Sequence, residues 1–319
     1  MRIRIISGGE LSSSEKQIWS AIQLAGDRSF SSPYLCPEFT EAVAAARDNI
    51  FVGIMEDGNA VTGFFPFHLR EPGVAGPAIQ RLADYEGVIV LPETQWTADE
   101  LLCGCGLREW RFEVLIRSQT QFHPHHRQHL HSPIMDLSRG FAGYANDILN
   151  SGSRLIAKIK MQHRWLERDH GPVRYEAHVS DITTLAWLMV CKSGQYRRTV
   201  STDHFKEPWF RKVLERVHAT QGENFAGMLS VLYAGDQIVA AHLGLRSRTA
   251  WHYWFPCYDS RFAKYSPGSI LLIEMAKSAQ SLGLRHIDLG RGLQDYKLRF
   301  QNGSIQLAAG KVAIHGRPG

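Results

Sequence analysis

The stretch KYSPGSILLIEMAKSAQSLGLRHIDLG, residues 264–290, decides the fold. Ser266 stands where a helix N-cap is needed. Pro267 falls at the first helical position, where its missing N–H costs nothing. The apolar run that follows predicts a helix closed by Gly283, and HIDLG at 286–290 reads as the next strand. Upstream, AGMLSVLYAGDQIVAAHLGLRSRTAWHYWFPC (226–257) predicts three strands separated by turns at Ala234-Gly235-Asp236 and Ser247-Arg248. Helices are predicted over about 141–169, 181–193 and 207–220. The order is therefore helices, an antiparallel meander, a helix, a strand and a last helix, which is an α/β arrangement.

The first half echoes this order. Residues 37–47 (PEFTEAVAAAR) predict a short helix, and 50–69 predict two strands joined at Asp57-Gly58-Asn59. A Gly/Pro-rich loop, EPGVAGPA (71–78), precedes Asp84-Tyr85-Glu86 and the strand GVIVL. Residues 97–107 read as a helix and WRFEVLI as a further strand. No residue-level repeat is visible, but two similar halves are expected, one over 1–140 and one over 141–319.

The chain has 319 residues, enough for two cores, and a net charge of +5 that hides an asymmetry. Residues 1–150 hold 12 Lys/Arg against 18 Asp/Glu, a balance of −6; residues 151–319 hold 24 against 13, a balance of +11. A basic half suits an anionic partner, or else attraction to the acidic half. Five cysteines, with C-x-C as the only close pair, make neither a disulfide framework nor a zinc ribbon, so reduced thiols are expected. The apolar run near the N-terminus is too short for a signal peptide, and no apolar stretch approaches a membrane span. A soluble, cytoplasmic protein is the expectation.

Several residue groups could carry chemistry. The corner at Ser266, Gly268 and Ser269 offers helix N–H groups and a positive dipole end, which suits phosphate; a well-capped helix is the plainer reading. Gly290-x-Gly292 is not a dinucleotide fingerprint, because Asp295 holds the third glycine's place. Asp288 is the one charge in its strand. It reads either as a buried ion pair with Arg291 or Arg299, or as a base or acceptor-orienting carboxylate. In Trp251-His252-Tyr253-Trp254-Phe255, alternation puts His252 and Trp254 on one face and Tyr253 on the other, and His252 is an alternative general base.

The segment around 154–168 is a basic amphipathic helix, with Arg154 and Lys158 four apart, as are Lys160, Arg164 and Arg168. Leu155, Ile159 and Leu166 form its apolar stripe. Such a helix is a solvated face, or a surface for a membrane or an anionic chain. The run FHPHHRQHLH (122–131) has His125 and His129 at i,i+4, but Pro124 and the lack of an acid make it a linker; no metal is expected.

These blocks together resemble the double-GNAT (acyl-CoA N-acyltransferase) proteins of the CelD type, linked to cellulose and other exopolysaccharide biosynthesis. In the first half the resemblance rests on FSSPYLCPEF, on the 51–69 hairpin and on DYEGVIV. In the second it rests on GSRLIAKIKMQHRWLERDHGPVRYEA and, most specifically, on CYDSRFAKYSPGSILLIEMAKSAQSLGLRHIDLGRGLQDYKLRF. The chain departs from the pattern at Asp288-Leu289, where many members have Asp-Phe. It departs again at Ile156, Ala157, Ile159 and Met161, which dilute the basic helix.

The resemblance implies two GNAT-like halves, each a mixed, mainly antiparallel sheet flanked by helices. It implies an acyl-CoA donor, most simply acetyl-CoA, gripped by Lys264, Ser266, Gly268 and Ser269. Tyr296 would protonate the departing thiolate, and Asp288 or His252 would serve the nucleophile. Lys297, Arg299 and Arg291 would hold an anionic part of a substrate, and Asp84 and Tyr85 would line the acceptor side. The implied acceptor is an amine or hydroxyl of a sugar or lipid-linked glycan, with a membrane polysaccharide synthase as a further partner. FemAB-type aminoacyl transferases share the doubled fold and a related ending, so tRNA as the donor is an alternative. A non-catalytic scaffold is another.

Overall fold

The computed structural model describes residues 1–77, 82–199, 202–292 and 294–314. Its chain divides into two compact units, one of residues 1–132 and 305–319 and one of residues 133–304. The sequence reading places the join at 140/141 and keeps everything after it together. The boundary between the compact units falls within a strand, after Ser132.

In the first unit, β1 (Arg2–Ser7) is followed by α1 (Ser13–Ala25), α2 (Pro37–Ala44), β2 (Ile50–Asp57), β3 (Ala60–Glu71), β4 (Val74–Gly76) and β5 (Ile89–Val90). Then come α3 (Ala98–Gly104), β6 (Glu109–Ile116) and β7 (His126–Asp136), which runs on into the second unit. Gly58, at φ 57°, makes the expected β2–β3 hairpin. Two capping boxes, Ser12 with Glu15 and Thr97 with Glu100, start α1 and α3. The core gathers Phe65, Trp110, Phe112 and Phe122.

Two expectations change here. The segment 71–78, read as a loop, contributes β4; Ala78 itself lies outside the described residues. The histidine run is no linker: Thr120–His125 is a 3-10 turn and His126 opens β7, whose first half is mostly exposed and so accommodates polar side chains. Among the described residues no cluster of His, Cys, Asp or Glu is arranged to hold a metal.

The second unit contains α4 (Gly140–Asn150), α5 (Leu155–His170), β8 (Val173–Glu176), α6 (Ile182–Arg198) and α7 (Pro208–Ala219). The meander follows as β9 (Phe225–Ala234), β10 (Gln237–Ser247) and β11 (Ala250–Tyr258). Then come α8 (Pro267–Ser278), β12 (His286–Asp288) and α9 (Asp295–Phe300), and β13 (Gly303–Ala313) leaves to pair with β6 of the first unit. The segment read as one helix over 141–169 is two, because Gly152 adopts φ 80° just past the end of α4. The sheet runs β12-β11-β10-β9-β8, with β11–β12 parallel and the other pairs antiparallel. Helices pack against β9–β11 so fully that nearly every residue of the meander is buried, giving the continuous apolar runs seen in the sequence.

Candidate active site

The site begins with an irregularity in β11. Leu243 pairs with Phe255, but Leu245 pairs with His252, so β11 carries one residue more than β10 between these points. This β-bulge breaks the simple alternation expected for the aromatic run. His242 supports it. Its Nε2 accepts the backbone N–H of Trp254 at 3.1 Å, and its ring stacks on Tyr253 at 4.5 Å. Complete burial holds the His242 pKa well below the ordinary histidine range, so the ring is neutral, as an acceptor nitrogen requires.

Beyond the bulge, β11 and its parallel neighbour part. They pair only over 250–252 and 286–288; β12 then stops while β11 continues to Tyr258. Asp288 shapes the stop. Its Oδ1 accepts the N–H of Gly290 at 2.7 Å and lies 3.6 Å from Nδ1 of fully buried His252. Gly290 and Gly292 take φ values of 75° and 111°, which glycine adopts without Cβ strain. Lys297, buried, clamps this turn by donating from Nζ to the carbonyls of Gly290 at 3.1 Å and Arg291 at 2.7 Å.

At the start of α8, Ser266 is the N-cap residue but its hydroxyl makes no cap. It adopts a left-handed conformation (φ 52°), the one non-glycine residue with positive φ among those described, and its Oγ accepts from Gln162 Nε2 at 2.8 Å. With the cap drawn away, Pro267 lacking an N–H and the Ser269 N–H bonded to the Ser266 carbonyl at 2.9 Å, the helix start has no side-chain cap at Gly268.

A cavity of about 500 Å³ opens here. Its walls come from β11 (Tyr253, Pro256, Cys257, Tyr258), from the start of α8 (Ser266, Gly268, Ser269), from α9 (Tyr296, Lys297, Phe300) and from α6 (Lys192, Gln195). Burial pushes the Tyr253 hydroxyl pKa well above its usual range, so it stays protonated.

Of the residues singled out from the sequence, Ser266, Gly268, Ser269, Tyr296 and Lys297 meet on this cavity. The others do not line it. Asp288 and His252 are buried at the point where the strands part. Lys264 reaches Asp169 at 3.9 Å and covers the Tyr265 ring at 4.6 Å. Arg299 is exposed on α9 and Arg291 half-buried in the glycine turn. Asp84 and Tyr85 belong to the first unit, where Tyr85 is buried against Tyr34 with ring centroids 6.5 Å apart. On the basic helix, Ile159 and Leu166 are buried, while Met161, Trp165 and all five cations are exposed.

Sequence reading missed Lys192, Gln195 and His242. Lys192 carried a signal: it is the one charged residue between Asp181 and Arg197, in an otherwise apolar and neutral run.

Residues 153–298 match the family model described as an acetyltransferase (GNAT) domain. The matched stretch lies within the second unit and is similar to a GNAT acetyltransferase domain. No curated protein sequence matches the chain. Its fold is similar to that of solved tandem-GNAT-like structures, all at low identity. FemX aligns at 10% identity over 98% of this chain and 96% of that one, with a TM-score of 0.59. The C-terminal domain of an Agrobacterium fabrum protein described as a lysylphosphatidylglycerol synthetase aligns at 10% identity over 95% and 93%, with a TM-score of 0.58. A tandem GNAT protein from the clavulanic acid biosynthesis pathway aligns at 10% identity over 99% and 100%, with a TM-score of 0.51. The GNAT domain thus accounts for the α6-to-α9 architecture around the cavity. Among the described residues no helix is long and apolar enough to cross a membrane.

Proposed function

We propose that the GNAT domain takes an acyl-CoA, most simply acetyl-CoA, into the cavity beside α8 and passes its acyl group to an amine or hydroxyl of a sugar or lipid-linked glycan. One observation carries the donor side: the Ser266 hydroxyl accepts from Gln162 instead of capping α8, so the helix start at Gly268 lines the cavity without a side-chain cap, with its positive dipole end suited to a pyrophosphate. Tyr296, which lines the same cavity, is the acid for the departing thiolate. Asp288 acts through position, holding the turn that sets α9 against the cavity. The acceptor class, and with it a place in exopolysaccharide synthesis, rests on the sequence resemblance to CelD-type proteins.

Calorimetry with CoA and acetyl-CoA tests the donor. The wild type binds both. A Cβ at Gly268 would lie 3.7 Å from Tyr258 Cδ1, so Gly268→Ala is accommodated, whereas Gly268→Trp fills the cavity mouth and abolishes binding. Absence of binding to the wild type would overturn the reading.

A second reading keeps the fold and exchanges the donor for an aminoacyl-tRNA. The likeness to FemX over nearly the whole chain and the +11 balance of residues 151–319 favour it. Tight tRNA binding that weakens steeply with salt would put it first.

A further inference from the structure

Acyl transfer at the cavity leaves the outer face of α5 without a role. Arg154, Lys158, Met161, Trp165 and Arg168 follow the spacing i, i+4, i+7, i+11 and i+14, so they lie along one side of the helix. All five are exposed, Met161 at 42% and Trp165 at 41%. The buried side of the same helix carries Ile159, Gln162 and Leu166, and Gln162 is the residue that holds Ser266. Lys160 and Arg164 are also exposed and widen the basic face. Arg154, Lys158, Lys160 and Arg164 form no ion pair with any described residue, whereas Arg168 is matched by its neighbour Asp169 at 2.7 Å.

One exposed apolar residue is ordinary on a protein surface, but here two sit one turn apart inside a row of unmatched cations. That combination fits an anionic bilayer. The cations meet lipid phosphates, while the indole and the thioether pass between headgroups to the acyl boundary, where tryptophan is favoured. A hydrated polyanion such as an RNA would also meet the cations and could stack a base on Trp165. It would have no use for Met161, which offers no ring.

We propose that the outer face of α5 docks the protein on a membrane surface rich in anionic lipid, with Met161 and Trp165 entering the interface and Arg154, Lys158, Lys160 and Arg164 held at the headgroup phosphates. The docking does not depend on the acyl donor, because none of these residues lines the cavity beside α8.

The test uses the full chain and two kinds of vesicle, pure phosphatidylcholine and an equimolar mixture with phosphatidylglycerol, read by co-sedimentation. The wild type should bind the mixed vesicles, come off as salt rises, and ignore pure phosphatidylcholine. A cation near an anionic surface strengthens attachment about fivefold, so the double change Arg154→Gln, Lys158→Gln should weaken it about twenty-five-fold. Trp165→Phe should keep most of the binding but lose most of the quenching of protein fluorescence by brominated lipid. These are changes of exposed side chains, so the melting temperature should match the wild type's in each variant. Four results would overturn the proposal: no binding of the wild type to the mixed vesicles; equal binding by the double variant; binding without any quenching by brominated lipid, which would leave a contact of charges alone; or tRNA held through Arg154 and Lys158 more tightly than the vesicles, which would give this face to the second donor reading.

Discussion

His252 and Asp288 face each other across the last paired position of β11 and β12, with Nδ1 and Oδ1 3.6 Å apart and both side chains buried. The same Oδ1 accepts the N–H of Gly290. The strands therefore part at a point held by side-chain contacts on both sides of the fork. A carboxylate so placed orients the turn and α9 behind it, and only through them the cavity wall.

That geometry gives opposite expectations for two substitutions. Asp288→Asn keeps an oxygen for Gly290 and should cost under about 1 kcal/mol in urea denaturation, with kcat/KM within about tenfold of wild type. Asp288→Ala leaves the buried N–H unsatisfied and should cost about 1–3 kcal/mol. A general base would behave otherwise: Asp288→Asn would lose about 100-fold or more in rate at unchanged stability.

Tyr144 on α4 donates its hydroxyl to the carbonyl of Phe300, 2.7 Å away in the core, and Phe300 lines the cavity. Tyr144→Phe removes the donor and leaves that carbonyl unsatisfied, for a loss of about 1 kcal/mol measured by chemical denaturation. Because the end of α9 is loosened rather than the cavity filled, CoA affinity should fall by less than about tenfold. A loss as complete as that expected for Gly268→Trp would mean Tyr144 does more than anchor α9.

The meander, the hairpin at Gly58 and α8 were legible because each is a local pattern: long apolar runs, a turn dipeptide, a proline at the first helical position. Other features depend on contacts between residues distant in sequence. The bulge opposite Gly244 is set by the side chain of His242, and Ser266 loses its cap to Gln162, more than a hundred residues upstream; neither pairing has a sequence period. Position in the motif brought Tyr296 and Lys297 to the right cavity, but it could not show that Lys297 is spent on two carbonyls, nor that Lys264 turns toward Asp169. One long-range strand pairing was hidden for a similar reason. The pairing of β13 with β6 joins residues almost two hundred positions apart, which no local cue announces.

The bulge makes the protein acid-sensitive in a definite direction. His242 accepts the Trp254 N–H only while neutral, and its folded pKa lies well below the unfolded value of about 6.5. The unfolded chain therefore takes up a proton that the fold refuses. The stability this histidine contributes is intact above about pH 6.5 and is lost as pH falls below it. His68 in the first unit acts in the same direction. Burial and the neighbouring Arg47 lower it to about 4, and its Nε2 faces donors on Asn49 at 2.7 Å and Arg47 at 3.1 Å. Each should contribute up to about 1.4 kcal/mol per pH unit between about pH 6.5 and 5. Denaturant midpoints at pH 7.5, 6 and 5 should fall in sequence. His242→Gln offers a non-titrating oxygen to Trp254, so its decline should be shallower than the wild type's. An equal slope in the two proteins would show that His242 does not carry this dependence, and would turn the search to His68.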